Sequence, residues 1–130
     1  MVVIDASIAV DLCLAADGFA QLADEELVAP PLILSESLSV LHELRWRGEI
    51  PEEVTHLALE RRSKMPIRIE NPPRLSAEAW RIADDFGWAK TYDAEYVALA
   101  KLNECRLVTV DARLRRGADR LGFVVTPGEL

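Results

Sequence analysis

The chain has 130 residues, half of them hydrophobic and 28% charged, enough apolar material for one packed domain and too much for a disordered chain. A formal net charge of −7 and a pI near 4.8 exclude a protein that coats duplex nucleic acid through a broad basic face. No apolar run is long enough to span a bilayer and no secretory leader is visible, so a cytoplasmic protein without a membrane segment is expected.

Val2, Val3 and Ile4 show no polar alternation, which predicts a buried central strand of a parallel sheet with Asp5 at its carboxyl end. "SIAVDLCLA" follows with helical spacing. Leu27 to Ala29 is a short strand stopped by Pro30 and Pro31. "LILSESLSVLHELRWRG" places Ile33, Ser37, Val40, Leu41 and Leu44 at helical intervals, with Gly48 as its C-cap. Pro51 is expected at the first position of the next helix, "EEVTHLALERRS". Ile67 and Ile69 mark one short alternating strand before Pro72 and Pro73.

Ser76 is the expected N-cap of "AEAWRIADDFG", which stops at Gly87, and "TYDAEYVALAKLNE" is a further helix. Leu107, Val108 and Val110 then repeat the opening pattern, a buried strand running into Asp111. "ARLRRGADRLG" is a last helix and "FVVT" a last strand. The order β-α-β-α-α-β-α-α-β-α-β predicts one α/β domain over residues 1–130, a central, mostly parallel sheet flanked by helices on both faces. Cys13 and Cys105, far apart and outside any CxxC or Cys/His cluster, are expected as buried small hydrophobes, and Trp46, Trp80 and Trp88 as core or interface anchors, with stacking on RNA bases as the alternative.

Four acids stand out from this frame. Asp5 and Asp111 each follow an apolar strand, and in a parallel sheet both strand ends share one edge. Glu36 lies on the side of its helix shared with Ile33 and Val40, and Asp93 on the stripe of Tyr96, Val97 and Ala100, where a carboxylate is not simply solvated. Gathered together they repel, by roughly 4 kcal/mol per pair at about 4 Å and an effective dielectric near 20. Proton sharing, nearby Arg or Lys, or a divalent cation could offset this, and an all-oxygen cluster with no Cys or His favours Mg²⁺ or Mn²⁺ over zinc. The alternative is structural: Asp5, Asp111 and Asp93 as helix caps, with Thr91 also available ahead of Asp93, and Glu36 as a partner of its helix dipole. Arg113, Arg115 and Arg116, beside Asp111, are the candidate phosphate contacts. His42 and His56 have no partner suggesting catalysis, and no glycine-rich phosphate loop is present.

"VVIDAS", "APPLILSESLSVLHELRWRGEI" and "TYDAEYVALAKLNECRLVTVDARL" together resemble the PIN domain and, within it, toxins of the VapC type. The likeness runs from Val2 to about Leu121 and is strongest in "YDA" and "TVD". It implies a metal-dependent endoribonuclease using Mg²⁺ or Mn²⁺, whose catalytic and metal-binding acids correspond to Asp5, Glu36, Asp93 and Asp111. Ser7 and Thr109 match small hydroxyl positions that orient ligands and waters. Ser39 stands where many relatives carry asparagine, a departure that bears on activity. The resemblance further implies a VapB-type antitoxin as partner, RNA as substrate, and a homodimer.

Two rivals are weighed against it. A two-component receiver domain has similar size and strand-end acids, but it needs an acidic pair after its first strand, and Asp5 is followed by Ala6 and Ser7; its mid-chain strand should end in aspartate, where this chain has "IRIENPP". A PIN-like scaffold that binds without cutting is motivated by Ser39 and opposed by retention of all four mutually repelling acids.

Overall fold

A computed structural model describes residues 1–130. The elements are β1 (Val2–Ile4), α1 (Ala6–Leu14), β2 (Leu27–Ala29), α2 (Leu32–Trp46), α3 (Glu52–Ser63), β3 (Ile67–Ile69), α4 (Leu75–Phe86), α5 (Tyr92–Leu102), β4 (Arg106–Val108), α6 (Ala112–Gly117) and β5 (Val124–Val125), with 3-10 turns at Gly18–Leu22, Asp119–Leu121 and Pro127–Glu129. The strands form one sheet in the order β3-β2-β1-β4-β5, and every pairing is parallel. The chain builds outward from β1 to β2 and β3, then returns to the other side of β1 for β4 and β5. Right-handed crossovers taken in these two directions send helices to opposite faces of the sheet. In keeping with this, α1 packs on α2 and α3, and α4 packs on α5. Between β1 and β4 the winding direction reverses, and at such a switch point the turns leaving the strands diverge and open a crevice. Ile4 pairs with Val108, so Asp5 and Thr109 leave the sheet side by side.

Burial follows the apolar runs. Val2, Val3 and Ile4 are shielded on both faces, as a central parallel strand must be. α5 is buried continuously from Tyr96 to Ala100, because it lies between the sheet and α4, and its alanines let it approach β1 and β4 closely. α3 differs: only Thr55 and Ala58 are buried on it. Polar tethers hold it instead. Arg61 donates to the carbonyls of Cys13 (3.1 Å), Ala15 and Ala16 (3.3 Å), at and just beyond the carbonyl end of α1, and Arg62 donates to Ser37 Oγ (3.0 Å) and the Leu34 carbonyl of α2.

Several local expectations are corrected. α4 begins at Leu75, a buried residue that anchors the turn, so Arg74 takes the cap position and Ser76 lies inside the first turn. Pro51 is the N-cap of α3, one residue earlier than expected. Thr91 occupies the cap position of α5, but its side chain makes no capping bond. Val110 is exposed and outside β4, because the chain turns away after the Thr109 N–H has bonded the Val125 carbonyl (2.9 Å). α6 ends at Gly117, and the rest of the expected helix is a 3-10 turn.

Trp46 and Trp80 lie on the surface, 81% and 68% exposed, so neither is a core anchor. Trp88 is half-buried, edge-on to Phe86, and a Cβ at Gly117 would come within 3.4 Å of its ring. Cys13 is buried, its thiol pushed up to about 11 by that burial, whereas Cys105 is half-buried and both are free.

Replacing Arg61 with methionine keeps the aliphatic stem but strips donors from the end of α1. Urea denaturation should show a loss of about 1–3 kcal/mol, the usual worth of charged hydrogen bonds to part-buried acceptors. Lys64→Met, which removes only an exposed pair with Glu60, should leave the midpoint nearly unchanged.

Candidate active site

Asp5 leaves β1 in an extended conformation and caps α1, its Oδ1 accepting from the Ile8 N–H (3.1 Å). Two hydroxyls complete its shell: Ser7 Oγ donates to Oδ1 (2.6 Å) and Thr109 Oγ1 donates to Oδ2. Each hydroxyl also accepts from the turn beyond β4, Ser7 from the Val110 N–H (3.2 Å) and Thr109 from the Asp111 N–H (3.0 Å). A hydroxyl can donate once and accept elsewhere, so these two join the ends of β1 and β4 through one carboxylate. Oδ1 then has two partners and Oδ2 one, which leaves a lone pair of Oδ2 open.

Asp111 caps α6 through Oδ1, which accepts from the N–H groups of Arg113 (2.9 Å) and Leu114 (3.3 Å). Its Oδ2 has only the Arg113 guanidinium nearby, at 3.9 Å. Glu36 sits one turn into α2, half-buried, with Oε1 accepting from the hydroxyl of the buried Tyr96 on α5 (2.8 Å). Asp93, in the first turn of α5, is also half-buried and lies 4.0 Å from the same arginine.

The charges of these acids oppose one another. Burial pushes the Asp5 carboxyl above its usual range, against the bonds from Ser7, Thr109 and Ile8, and the charge of Asp111 adds to the rise. Glu36 is raised by burial, lowered in part by the Tyr96 hydroxyl, and raised again by Asp93 and Asp5. Asp93 is raised by burial and then by Asp111, against Arg113. The repulsions thus close a ring from Asp5 to Asp111, Asp93, Glu36 and back. Arg113 is the one cation paired with it, at the outer limit of an ion pair and 82% exposed, so it offsets little of the charge.

As the side chains lie, no three His, Cys, Asp or Glu converge closely enough to hold one metal ion. Open oxygens on Asp5, Asp111 and Glu36, with no nitrogen or sulfur donor, suit a small hard cation that keeps several waters and takes only one or two carboxylates directly.

Beside the ring opens a cleft of about 510 Å³, whose walls include Glu36, Trp88, Lys90, Tyr92, Asp93 and Arg113. Lys90 and Tyr92 did not stand out as site residues in the sequence, and Trp88 only as one of three tryptophans with RNA stacking as an alternative. The available signal was their closeness to Asp93 in "WAKTYDA". Ser39 is exposed and makes no hydrogen bond to the acids. Arg115 points elsewhere, pairing with Asp119 (2.5 Å) and Glu129 (3.1 Å). The Glu129 carboxyl is held at about 2 by the Thr126 N–H, then by Arg115 and the Thr126 hydroxyl. Arg116 is exposed and unpaired.

A family model described as the PIN domain matches residues 2–120. The chain belongs to the PIN domain family. Among curated proteins, "VapC ribonuclease Mb0985" of Mycobacterium bovis and "Ribonuclease VapC9" of Mycobacterium tuberculosis are each 35% identical over 116 residues, 88% of this chain and 88% of the relative, which places this PIN domain in the VapC group. Two solved structures share the fold. PAE2754 from Pyrobaculum aerophilum superposes with a TM-score of 0.74 at 22% identity, covering 98% of this chain and 91% of that one. A toxin-antitoxin complex from Klebsiella pneumoniae gives 0.67 at 17% identity, with 98% of both chains covered. PIN membership sets the receiver-domain alternative aside.

The raised acids make this PIN domain's stability depend on pH. A carboxyl whose folded value lies above its unfolded one contributes stability that is complete below the unfolded value, near pH 4, and lost as pH rises through the folded value. Glu78 works the other way: the Lys101 ammonium (2.5 Å) holds it low, so its contribution is present above the unfolded value and fades in acid. In chelator, Asp5→Asn should therefore gain Tm over the wild type as pH rises from about 5 to 8, since asparagine caps α1 equally well and carries no charge. Differential scanning fluorimetry across that range tests the sign.

Proposed function

We propose that this chain is a VapC-type toxin, an endoribonuclease that hydrolyses RNA phosphodiester bonds with Mg²⁺ or Mn²⁺ held by Asp5, Glu36, Asp93 and Asp111. The observation that carries the reading is the closed ring of carboxylates at the switch point, three of them driven upward by burial and faced by one loosely paired arginine. When bound, a divalent ion supplies charge against that building on the phosphoryl oxygens and lowers the pKa of the attacking water. The chain's own groups do the rest. Asp5, fixed by Ser7 and Thr109, presents Oδ2; Asp111 presents the oxygen its cap leaves open; Glu36 presents Oε2 while Tyr96 holds Oε1. Asp93, facing the cleft, is the acid placed to take the water's proton. Arg113 and Arg116, one helical turn apart, offer charge to the substrate phosphates, and Arg115 joins them only by giving up its pairs with Asp119 and Glu129.

Residues 1–130 act as one unit in this reading, in the cytoplasm, where RNA is available. A VapB-type antitoxin is the expected partner: the acid ring attracts an arginine or lysine side chain, and α2 and α3 expose Leu34, Leu38, Leu57 and Leu59 to an amphipathic segment. A homodimer is proposed from the resemblance alone. The second reading, a PIN-like protein that binds without cutting, rests on Ser39, whose hydroxyl is shorter than an asparagine amide and touches none of the acids.

Incubating the purified protein with total RNA, with and without Mn²⁺, and sequencing the new ends tests activity and specificity together. Asp5→Asn should cut more than about a hundredfold slower and bind Mn²⁺ at least about tenfold more weakly by calorimetry, while remaining folded. Cleavage at the wild-type rate would sink the assignment. Ser39→Asn should maintain or raise metal-dependent activity, since the amide adds a donor and an acceptor near Glu36. A large loss would mean the site is built around serine.

A further inference from the structure

We infer that Tyr92, Trp88 and Lys90 form a nucleoside subsite on the Glu36 and Asp93 side of the acid ring, where an unpaired base stacks on the Tyr92 ring and Lys90 and Arg113 take the flanking phosphates. The inference rests on the ribonuclease reading and names the part of the substrate that the cleft receives.

Tyr92 and Tyr96 stand four residues apart on α5 and have opposite fates. Tyr96 is 1% exposed and spends its hydroxyl on Glu36; Tyr92 is 53% exposed, at the mouth of the cleft, with no hydrogen bond to its hydroxyl. An aromatic ring left in water beside two carboxylates stabilises nothing in the fold. Trp88 is half-buried at the same wall, and its indole N–H likewise has no partner in the chain. Lys90 makes no ion pair although acids outnumber Lys and Arg by 22 to 15, and although Glu36 and Asp93 line the same cleft. The cavity, about 510 Å³, falls within the range of roughly 300–1,000 Å³ typical of small-molecule sites.

Rings with free polar edges, flanked by the unpaired Lys90 and the loosely paired Arg113 and bordering a phosphate-cutting centre, match a nucleotide's three parts: a flat base, a polar edge and anionic phosphates. A base inside a duplex has both faces covered and cannot stack here, so the subsite selects single strands and loops. An arginine-bearing peptide, drawn by Glu36 and Asp93, could also lie over Tyr92, but the unpaired Lys90 on the same wall favours phosphate.

The test is a polarisation titration of a short fluorescein-labelled single-stranded RNA of mixed sequence, in Mg²⁺, on an Asp5→Asn background that keeps the probe intact. Tyr92→Ala should weaken binding about tenfold, the usual scale of one lost base stack, while Tyr92→Phe binds as tightly as the parent. Lys90→Ala should weaken binding and lower its salt dependence. Trp80→Ala, an exposed ring outside the cleft, should change nothing, and a duplex probe should not discriminate Tyr92→Ala from the parent. Unaltered RNA binding by Tyr92→Ala overturns the subsite and leaves the ribonuclease reading standing, provided the unmodified protein cuts RNA. Tyr92→Phe as weak as Tyr92→Ala also overturns it, because stacking needs only the ring. Loss of a basic peptide's binding in Tyr92→Ala without loss of RNA binding assigns the surface to a peptide and overturns it too. If the unmodified protein neither binds nor cuts RNA, both readings fall.

Discussion

The carboxyl edge of the sheet depends on one buried carboxylate. Asp5 is 5% exposed, follows three fully shielded apolar residues, and is held by two hydroxyls whose own acceptor sites bind the turn after β4. The same side chain ends β1, starts α1 and fixes how β4 leaves the sheet. Burying a charge is expensive unless its lone pairs are met, and the three donors to Asp5 meet most of that demand. What they leave unmet is an oxygen aimed toward three more acids. Structural order and electrostatic tension therefore arise from the same group.

Asp5 and Asp111 show why a cap and a ligand are not competing assignments. An aspartate has two oxygens, and in Asp111 one closes the first turn of α6 while the other remains free toward the ring. The capping bonds fix the side-chain rotamer, so the free oxygen is placed by the helix itself. Glu36 achieves the same division through Tyr96, which reaches from α5 to α2. Asp5, Asp111 and Glu36 are thus each oriented by a group on the fold's side of the site, and the cation side is left under-neutralised.

Much of this was legible in the chain. Unbroken apolar runs at Val2 and Leu107 identified the central strands, and an acid following each identified the edge of the sheet that matters. Periodicity put Glu36 and Asp93 on inward-leaning helix faces, and glycines at 48 and 87, both with positive φ, closed α2 and α4 as expected. The misses have physical causes. Ser76 was a good local cap, yet the buried Leu75 decided where α4 starts, a tertiary preference that overrides a propensity. Val110 suited a strand, but the hydroxyl network at Ser7 and Thr109 turns the chain out before it. Lys90 and Tyr92 went unread as site residues, because their closeness to Asp93 was a weak signal and the cleft they share with Glu36 of α2 forms only in the fold. Arg115 sat correctly beside Asp111, but Glu129, far along the chain, captures it.

The four acids come from the end of β1, from α2, from α5 and from the turn after β4. No contiguous stretch shorter than Asp5 to Asp111 contains them all. Chains are made from the amino end, and β4 must pair with β1 before Thr109 can grip Asp5. A growing chain on the ribosome therefore has three acids and no closed ring until Asp111 has emerged. For a protein whose activity would attack RNA, that winding order is a built-in delay: the hazardous arrangement cannot exist before Asp111, the last of the four acids, has been made and β4 has reached β1.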